Sequence, residues 1–389
     1  MSEVKIEGVC QRGFEGVKEA FAREFEAGNE LGAAVCITLE GTTVVDLWGG
    51  YKDEARTEPW ERETLANVYS TTKGITAIAA HRLVDEGLLD LDAPVADYWP
   101  EFAAAGKERL PVRYLLSHQA GLAAIKKPLS PETLFDWTAM CTALAEQEPW
   151  WEPGTAHGYH AITFGWLVGE LVRRIRGQKI GDVVRNEIAG PLGVDFEIGF
   201  GPELDDRVAP LVEGPIHPPA DGSASADLVA EILNNPESLM AKAFANPPVI
   251  GLQNDRAWRA AEIPAANGHT NAHSLARIYG ALANGGSIDG VELLSNDAIE
   301  RARAEVVNGE DQVLPLDTRL ALGFFLPVPT EPTGPNDRSF GHGGAGGSYS
   351  MADPENRLSF GYVMNLVHQG AWLVDPRPRR LIDAAYACM

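Results

Sequence analysis

The sequence predicts an α/β fold of the α+β kind, with an antiparallel β-sheet flanked by helices and a mainly helical domain inserted into it. β-rich runs occur near both ends of the chain, whereas the middle carries mostly helical periodicity. At 389 residues the chain is also long enough for two domains. We therefore expect an α/β domain from residues 1–75 and 270–389, and a helical domain from residues 76–269 that includes an irregular, pocket-lining segment at 214–250.

The individual elements follow from periodicity and from turn residues. At the N-terminal end we expect an amphipathic helix at residues 14–27, a hairpin of residues 33–39 and 43–48, an extended run at 65–69, and an apolar helical stretch at 75–84. Farther along we expect helices at 112–117, 131–147, 162–176, 271–284 and 378–387, and strands at 322–326, 347–351 and 358–364. Because the Pro- and Asn-rich segment at 214–250 has only short helical patches, we expect an excursion over the surface.

Composition excludes several classes of partner. The formal charge of −23 and the pI near 4.8 argue against binding to nucleic acid or to an anionic membrane. The four cysteines are scattered without metal-ligand spacing, which predicts free thiols in a reducing compartment. Residues 1–13 show no signal-peptide pattern, and no apolar run is long enough to span a bilayer. We expect a cytoplasmic protein with no cofactor; the oligomeric state stays open.

The most informative motif is Ser70-Thr71-Thr72-Lys73. Residues three apart share one helix face, so a helix that begins at Ser70 places the Lys73 amine above the Ser70 hydroxyl. The same hydroxyl then lies at a helix N-terminus, where free N–H groups favour developing negative charge. An adjacent base turns a weak serine into a nucleophile. By itself the tetrapeptide has a substantial chance of arising at random.

Two further segments supply candidate partners for this serine. Tyr159 follows a Pro153-Gly154-Thr155 turn, and beside a lysine ammonium its pKa would fall, so that it could act as a general base. A half-buried core tyrosine is the alternative interpretation. The glycine-rich run at 341–347 contains His342 and precedes a strand, and it could aim a backbone N–H at an oxyanion. A plain glycine-rich turn is the alternative there.

Together these segments resemble the class C-like serine β-lactamase superfamily, and within it the branch of family VIII carboxylesterases. The matching motifs occur in order between about residues 31 and 365: Ser70-x-x-Lys73, Pro153-Gly154-Thr155 with Tyr159, and His342-x-Gly344. The resemblance implies a penicillin-binding-protein-like fold in which Ser70 is acylated, Lys73 shares its proton and Tyr159 is the general base. It also implies an oxyanion hole from the N–H groups of Ser70 and Ala345, with His342 and Gly344 lining the substrate site.

Two departures from the lactamase pattern narrow the predicted activity. The lactamase Tyr-x-Asn triplet ends here in Ala161, so the amide that contacts a β-lactam side chain is missing. The lysine of the Lys-Thr-Gly triplet is His342, which is mostly neutral at neutral pH. An ester needs neither contact.

The leading hypothesis is therefore a serine carboxylesterase for small or short-chain esters, acting through an acyl-Ser70 intermediate. A β-lactamase, D-alanyl peptidase or acyltransferase on the same fold is the alternative, and a non-catalytic binding protein is the alternative from another class. The pairs His157/His160 and His269/His273 have metal-ligand spacing but no evident third ligand, so we expect no metal site. His118 is expected to tie down a helix end, and Trp150-Trp151 either line a pocket or pack in the core.

Overall fold

The computed structural model describes residues 4–216, 228–369 and 373–389. Its strands are β1 Ile6–Cys10, β2 Gly32–Leu39, β3 Thr42–Gly50, β4 Ala66–Asn67, β5 Phe196–Glu197, β6 Val212–Ile216, β7 His269–Thr270, β8 Ser287–Ile288, β9 Val291–Glu292, β10 Val307–Glu310, β11 Asp317–Leu320, β12 Phe340–Gly343, β13 Tyr349–Asp353, β14 Leu358–Met364 and β15 Leu366–Gln369. Its α-helices are α1 Glu15–Glu26, α2 Thr72–Asp85, α3 Arg113–Leu116, α4 Trp137–Glu146, α5 Thr163–Arg176, α6 Ile180–Val183, α7 Leu228–Asn234, α8 Leu239–Ala245, α9 Arg256–Ala260, α10 Ala272–Ala283, α11 Asn296–Arg303 and α12 Pro376–Ala387.

The main sheet joins strands from the two ends of the chain. Its six strands have the order β1-β3-β2-β14-β13-β12, and every neighbouring pair is antiparallel. The predicted hairpin is confirmed as β2 and β3, and the predicted fold class is confirmed as a mixed α/β structure with an antiparallel sheet. The two-domain division at residues 75/76 and 269/270 stays a prediction.

The sheet separates two apolar cores because side chains alternate across a strand. On β2, Val35 and Ile37 pack with α1 and α12, whereas Cys36 belongs to the larger core that includes α2, α5 and α10. Ser359 on β14 donates to the Ala276 carbonyl of α10 at 2.7 Å, which fixes that helix on the sheet. Helix α2 is buried nearly all round, and its first turn carries Lys73.

Several predicted boundaries were wrong, each for a local reason. Helix α2 begins at Thr72, so Ser70 lies in the preceding 3₁₀ turn, Tyr69–Thr71. The predicted strand at 322–326 is irregular, because the N–H of Leu322 donates to Ala302 and that of Gly323 donates to Leu116, with no single partner strand. The predicted helix at 131–147 is divided into a 3₁₀ turn, Pro131–Phe135, and helix α4.

The remaining elements deviate from their predicted boundaries at the ends. The extended run at 65–69 contains only β4, the helix at 112–117 is the single turn α3, and the strand predicted at 347–351 is β13, two residues later. Within the predicted segment 214–250, residues 217–227 lie outside the described residues, and α7 and α8 follow them. Among the described residues, none of the helices has both the length and the apolar character needed to cross a bilayer.

Asn365 links three backbone segments where the main sheet meets its flanking loops. The side chain is fully buried; its Oδ1 accepts the Gly32 N–H at 2.9 Å, and its Nδ2 donates to the carbonyls of Tyr51 and Lys52 at 3.1 and 2.8 Å. Removing the amide leaves buried backbone groups without partners, which costs more than a hydrogen bond is worth on average.

We therefore expect Asn365→Ala to lower the free energy of unfolding by about 2–4 kcal/mol. Chemical denaturation measures this, with Asn308→Ala on the exposed side of β10 as the control. A loss no larger than that of the control would contradict the assigned role of Asn365.

Candidate active site

Ser70 and Lys73 are in direct contact at the entrance to α2. Lys73 Nζ lies 2.9 Å from Ser70 Oγ and donates a second hydrogen bond to the Ala265 carbonyl, also at 2.9 Å. Ser70 is partly exposed, whereas Lys73 is completely buried. Tyr69, just before the serine, has φ +42°, in the left-handed region that a non-glycine residue seldom adopts. Such a turn leaves the hydroxyl at the surface and the amine beneath it, and strained residues of this kind cluster at functional sites.

Burial sets the charge state of Lys73. Desolvation lowers the pKa of Lys73 well below its ordinary value, and among the described residues no carboxylate forms an ion pair with it. An ammonium in such surroundings has no anion to offset the lost hydration, so burial favours the uncharged form of the amine. The uncharged amine can accept the Ser70 proton.

Tyr159 lies next to both Ser70 and Lys73. Its phenol interacts with Ser70, which lowers the pKa of the phenol, and Lys73 Nζ lies 4.7 Å from the centre of its ring. The residue is 5% exposed and lies before helix α5, not within it. The sequence predicted that Lys73 would lower the pKa of Tyr159, and this was wrong: burial of the phenol raises its pKa, and the interaction with Ser70 offsets this only in part.

Asp311 holds the Tyr159 backbone, and sequence reasoning missed it. The buried Oδ1 accepts the N–H groups of Tyr159, Val313 and Leu314, each at 2.9 Å. Its Oδ2 accepts the Thr318 hydroxyl at 3.1 Å, and Thr318 Oγ1 is 2.9 Å from His157 Nε2. Desolvation raises the pKa of Asp311. Tyr159 and Asp311 are 152 residues apart, so no local sequence pattern predicts their contact.

Two histidines form a neutral layer behind Tyr159. His160 Nδ1 donates to the Gly158 carbonyl at 2.7 Å, while its Nε2 accepts the Leu122 N–H at 3.1 Å, so the ring cannot carry a second proton without losing that bond. Burial lowers the pKa of His160 to about 4. His118 Nδ1 accepts the His160 N–H at 3.0 Å, and its ring centre is 5.3 Å from that of Tyr159. His118 therefore packs behind the site and does more than end a helix.

His342 faces Tyr159 from the end of β12. Their ring centres are 6.1 Å apart, and His342 Nδ1 donates to the Gly343 carbonyl at 2.7 Å. His342 makes no hydrogen bond to Tyr159; its buried Nε2 has no partner within the part of the chain that the structure describes. Burial lowers the pKa of His342 to about 3, so Nε2 is a bare acceptor beside the reacting groups.

The loop after β12 lies against the turn that carries Ser70. A Cβ on Gly344 would stand 2.1 Å from the Val68 carbonyl oxygen, so only glycine permits this approach. Ser348 Oγ donates to the same carbonyl at 2.8 Å and lies 3.1 Å from Thr71 Oγ1. Ala345 is exposed in this loop, and its N–H has no hydrogen-bond partner among the described residues. The structure thus brings the predicted oxyanion segment against the predicted nucleophile.

Aromatic side chains border the site on the remaining side. The ring centres of Phe325 and Phe244 lie 5.7 and 6.3 Å from that of Tyr159. Phe244 is on α8, so the predicted pocket-lining segment does contribute a side chain near Tyr159. Trp151 packs edge-on against His160 at 6.1 Å, and Trp150 donates to the Ala124 carbonyl. Both tryptophans are half-buried.

The histidine pairs with metal-ligand spacing have other partners. His157 bonds Thr318, and His269 Nδ1 bonds the Asn267 carbonyl. Ligand atoms of Cys36, Asp46 and His273 lie within 4.8 Å of one another, but the Arg62 guanidinium donates to Asp46 and contacts His273 Nδ1 at 2.9 Å. That fixed cation makes the cluster an ion-pair network in this structure.

Comparison with known proteins places the chain in a family. A model of the beta-lactamase family matches residues 18–384. The chain belongs to the beta-lactamase family. Esterase/beta-lactamase LipL of Mycobacterium tuberculosis is 36% identical over 369 residues, which cover 93% of this chain and 83% of LipL. Esterase EstB of Burkholderia gladioli is 30% identical over 197 residues, 46% of this chain and 49% of EstB.

Solved structures agree with this assignment. The crystal structure of a family VIII carboxylesterase is 42% identical, with a TM-score of 0.90 over 99% of this chain and 100% of that one. A penicillin-binding protein homologue from Caulobacter crescentus is 43% identical, with a TM-score of 0.88 over the same shares. The resemblance to family VIII carboxylesterases predicted from the sequence is confirmed.

The Asp311 contacts lead to a prediction about Tyr159. Asp311→Ala should lower kcat by roughly tenfold to a hundredfold, because a small displacement of a reacting group is costly. Asp311→Asn keeps an acceptor for the three N–H groups and should retain most of kcat. Ester hydrolysis and thermal unfolding are measured side by side, with exposed Asp317→Asn as the control. Equal kcat in the alanine variant and the control would exclude this role.

Proposed function

We propose that this protein is a serine carboxylesterase that hydrolyses small or short-chain esters through an acyl-Ser70 intermediate. The observation that carries the proposal is the position of the Ser70 hydroxyl, 2.9 Å from the Lys73 amine, whose pKa burial lowers, and beside the Tyr159 phenol. Relatives named as esterases and the family VIII carboxylesterase structure support serine ester hydrolysis.

In acylation, Ser70 Oγ attacks the ester carbonyl while its proton passes to Lys73 Nζ at 2.9 Å. The carbonyl oxygen becomes an oxyanion, which the N–H groups of Ser70 and Ala345 stabilise. The leaving alcohol takes a proton from the Tyr159 phenol, which recovers one from the Lys73 ammonium. Because the buried environment disfavours a charged lysine, transfer of the proton from Lys73 to Tyr159 is favourable.

Deacylation repeats the same steps with water. A water molecule gives its proton to Tyr159 as the phenol passes its own proton to the neutral Lys73 amine, and the resulting hydroxide attacks the acyl-serine. Tyr159 therefore serves as general base through Lys73, without an isolated phenolate. Collapse of the second oxyanion returns the proton from Lys73 to Ser70 and releases the acid.

The alternative activities on this fold differ from ester hydrolysis in the substrate or in the acceptor of the acyl group. The name of LipL includes beta-lactamase, but here Ala161 provides no amide, and the neutral His342 provides no cation for a β-lactam carboxylate. An acyltransferase would differ only in accepting an alcohol or amine in place of water. For this reason we propose ester hydrolysis as the main activity, a small-molecule ester as the partner, and the cytoplasm as the location, the last supported by four free cysteines.

Substitutions test the three reacting groups. Ser70→Ala should abolish hydrolysis of nitrophenyl butyrate and labelling by a fluorophosphonate probe, a loss of at least about 10³-fold. Tyr159→Phe should lose most of kcat while its thermal unfolding stays near that of the unsubstituted protein. Exposed Ser130→Ala is the control. Full activity in Ser70→Ala would refute the mechanism, and cephalosporin turnover as fast as ester turnover would favour the lactamase alternative.

The pH dependence should report Lys73. Because acylation needs the uncharged amine, kcat/KM should rise as the pH passes the lowered pKa of Lys73 and should then level off. His160 and His342 have pKa values lowered to about 4 and about 3, so they are neutral across an assay above pH ~5.5 and cannot cause the rise. The check is the profile of His342→Asn, which should keep the same midpoint; a midpoint that disappears would assign the rise to His342 instead.

A further inference from the structure

Arg377 is a fully buried cation that the mechanism above does not use. It is 1% exposed and lies near the start of α12, against Gly347 of the glycine loop. Its Nε and Nη2 donate to Asp375 at 2.9 and 3.1 Å, and its Nη1 donates to Glu30 at 3.1 Å. Buried carboxylates on two sides thus fix the plane of the guanidinium.

The remaining contacts of Arg377 fall on backbone carbonyls. Nη2 donates to the Gly346 carbonyl at 2.5 Å, and Nη1 donates to those of Leu366 and Asn29 at 3.0 and 3.2 Å. The Gly346 oxygen also accepts the His368 N–H at 3.2 Å, so donors occupy both of its lone pairs. A Cβ on Gly347 would lie 2.4 Å from Nη2, so the loop touches the guanidinium directly.

From Gly346 a short chain of peptide groups leads to the oxyanion site. The peptide group that contains the Gly346 carbonyl also contains the Gly347 N–H, which donates to the Gly344 carbonyl at 3.1 Å. The peptide group of Gly344 in turn contains the Ala345 N–H. This four-residue turn has Gly346 at φ +85°, as a type II turn requires at its third position. In a trans peptide the N–H points opposite to the carbonyl, so the Ala345 N–H is directed out of the turn.

We propose that Arg377 is a positioning residue for ester hydrolysis, which fixes and polarises the two peptide groups that present the Ala345 N–H to the oxyanion. The Arg377 cation bonded to the Gly346 carbonyl makes the Gly347 N–H of the same peptide group a stronger donor. The bond from the Gly347 N–H to the Gly344 carbonyl in turn makes the Ala345 N–H a stronger donor. The inference rests on the proposed function, because it assigns the Ala345 N–H to the oxyanion hole. Arg377 touches no reacting atom and acts only through the loop.

Two variants separate this role from a merely structural one. Arg377→Lys keeps a cation but places its three donors on one nitrogen, so it cannot reproduce the planar set of bonds that three nitrogens make to Gly346, Glu30 and Asp375. The pair Glu30→Gln with Arg377→Gln replaces both members of one ion pair by amides, so Glu30 is not left as a buried acid without its cation. Arg380→Lys is the matched control, because Arg380 lies on the same helix and pairs with Glu24 through two hydrogen bonds away from the loop.

The measurements are kcat and KM on nitrophenyl butyrate, thermal unfolding, and the inhibition constant of an arylboronic acid. The boronic acid forms a tetrahedral adduct on the serine, with an oxygen in the oxyanion position. We expect both Arg377 variants to lose kcat by about tenfold or more with KM within about threefold, and to bind the boronic acid more weakly by a similar factor. Arg380→Lys should change neither constant by more than about twofold.

Three outcomes overturn the proposal. The first is a folded Arg377 variant that retains full kcat, and the second is one that loses kcat with unchanged boronic acid affinity. The third is failure of both variants to fold, which makes Arg377 a residue of the fold alone. Failure of the proposed function is distinguishable, because the unsubstituted protein would then neither hydrolyse the ester nor react with the fluorophosphonate probe.

Discussion

The arrangement of the site depends on one constraint, the burial of the Lys73 amine beside Ser70 without a carboxylate to pair with it. A buried ammonium would keep its proton only if an anion offset its lost hydration. Since the described residues provide none, burial favours the uncharged amine, and it becomes the proton acceptor that the serine needs. The neighbouring groups conform to this: the pKa of Tyr159 is raised, and the pKa values of His160 and His342 are lowered. Each of these shifts favours the uncharged form of its group.

The charged groups near the site lie one layer behind the reacting atoms and act on the backbone. Asp311 accepts the Tyr159 N–H, and Arg377 donates to the Gly346 carbonyl. Neither charge is in contact with Ser70. A rigid frame of this kind can hold a neutral phenol and a backbone N–H at fixed positions, while full charges at the same distance from the substrate would alter the pKa of Lys73.

The sequence was most informative where chemistry and local spacing coincide. Ser70-x-x-Lys73, the turn before Tyr159 and the glycine run after His342 could each be identified, and the order of the three motifs predicted the family. The pKa of Tyr159 could not be predicted, because it depends on burial by residues distant in the chain. Asp311 and Arg377 were missed for a related reason: each acts on a backbone group 152 or 31 residues away. The boundary at Ser70 was wrong because the left-handed Tyr69 inserts a tight turn before α2.

The substrate preference that we propose rests on the local absence of a cation and not on the overall charge of the protein. The formal charge of −23 repels carboxylates in general, but at physiological salt such long-range effects are screened beyond about 8 Å. Within the site, the lysine of the lactamase pattern is replaced by a neutral His342 whose Nε2 can only accept a hydrogen bond. A substrate carboxylate placed there would meet an acceptor where it needs a donor, while Phe244 and Phe325 offer apolar surface close by. An uncharged ester with an apolar chain meets none of these penalties. Because α8 carries Phe244, we expect the sequence of α8 to limit the length of the apolar chain that the site accepts.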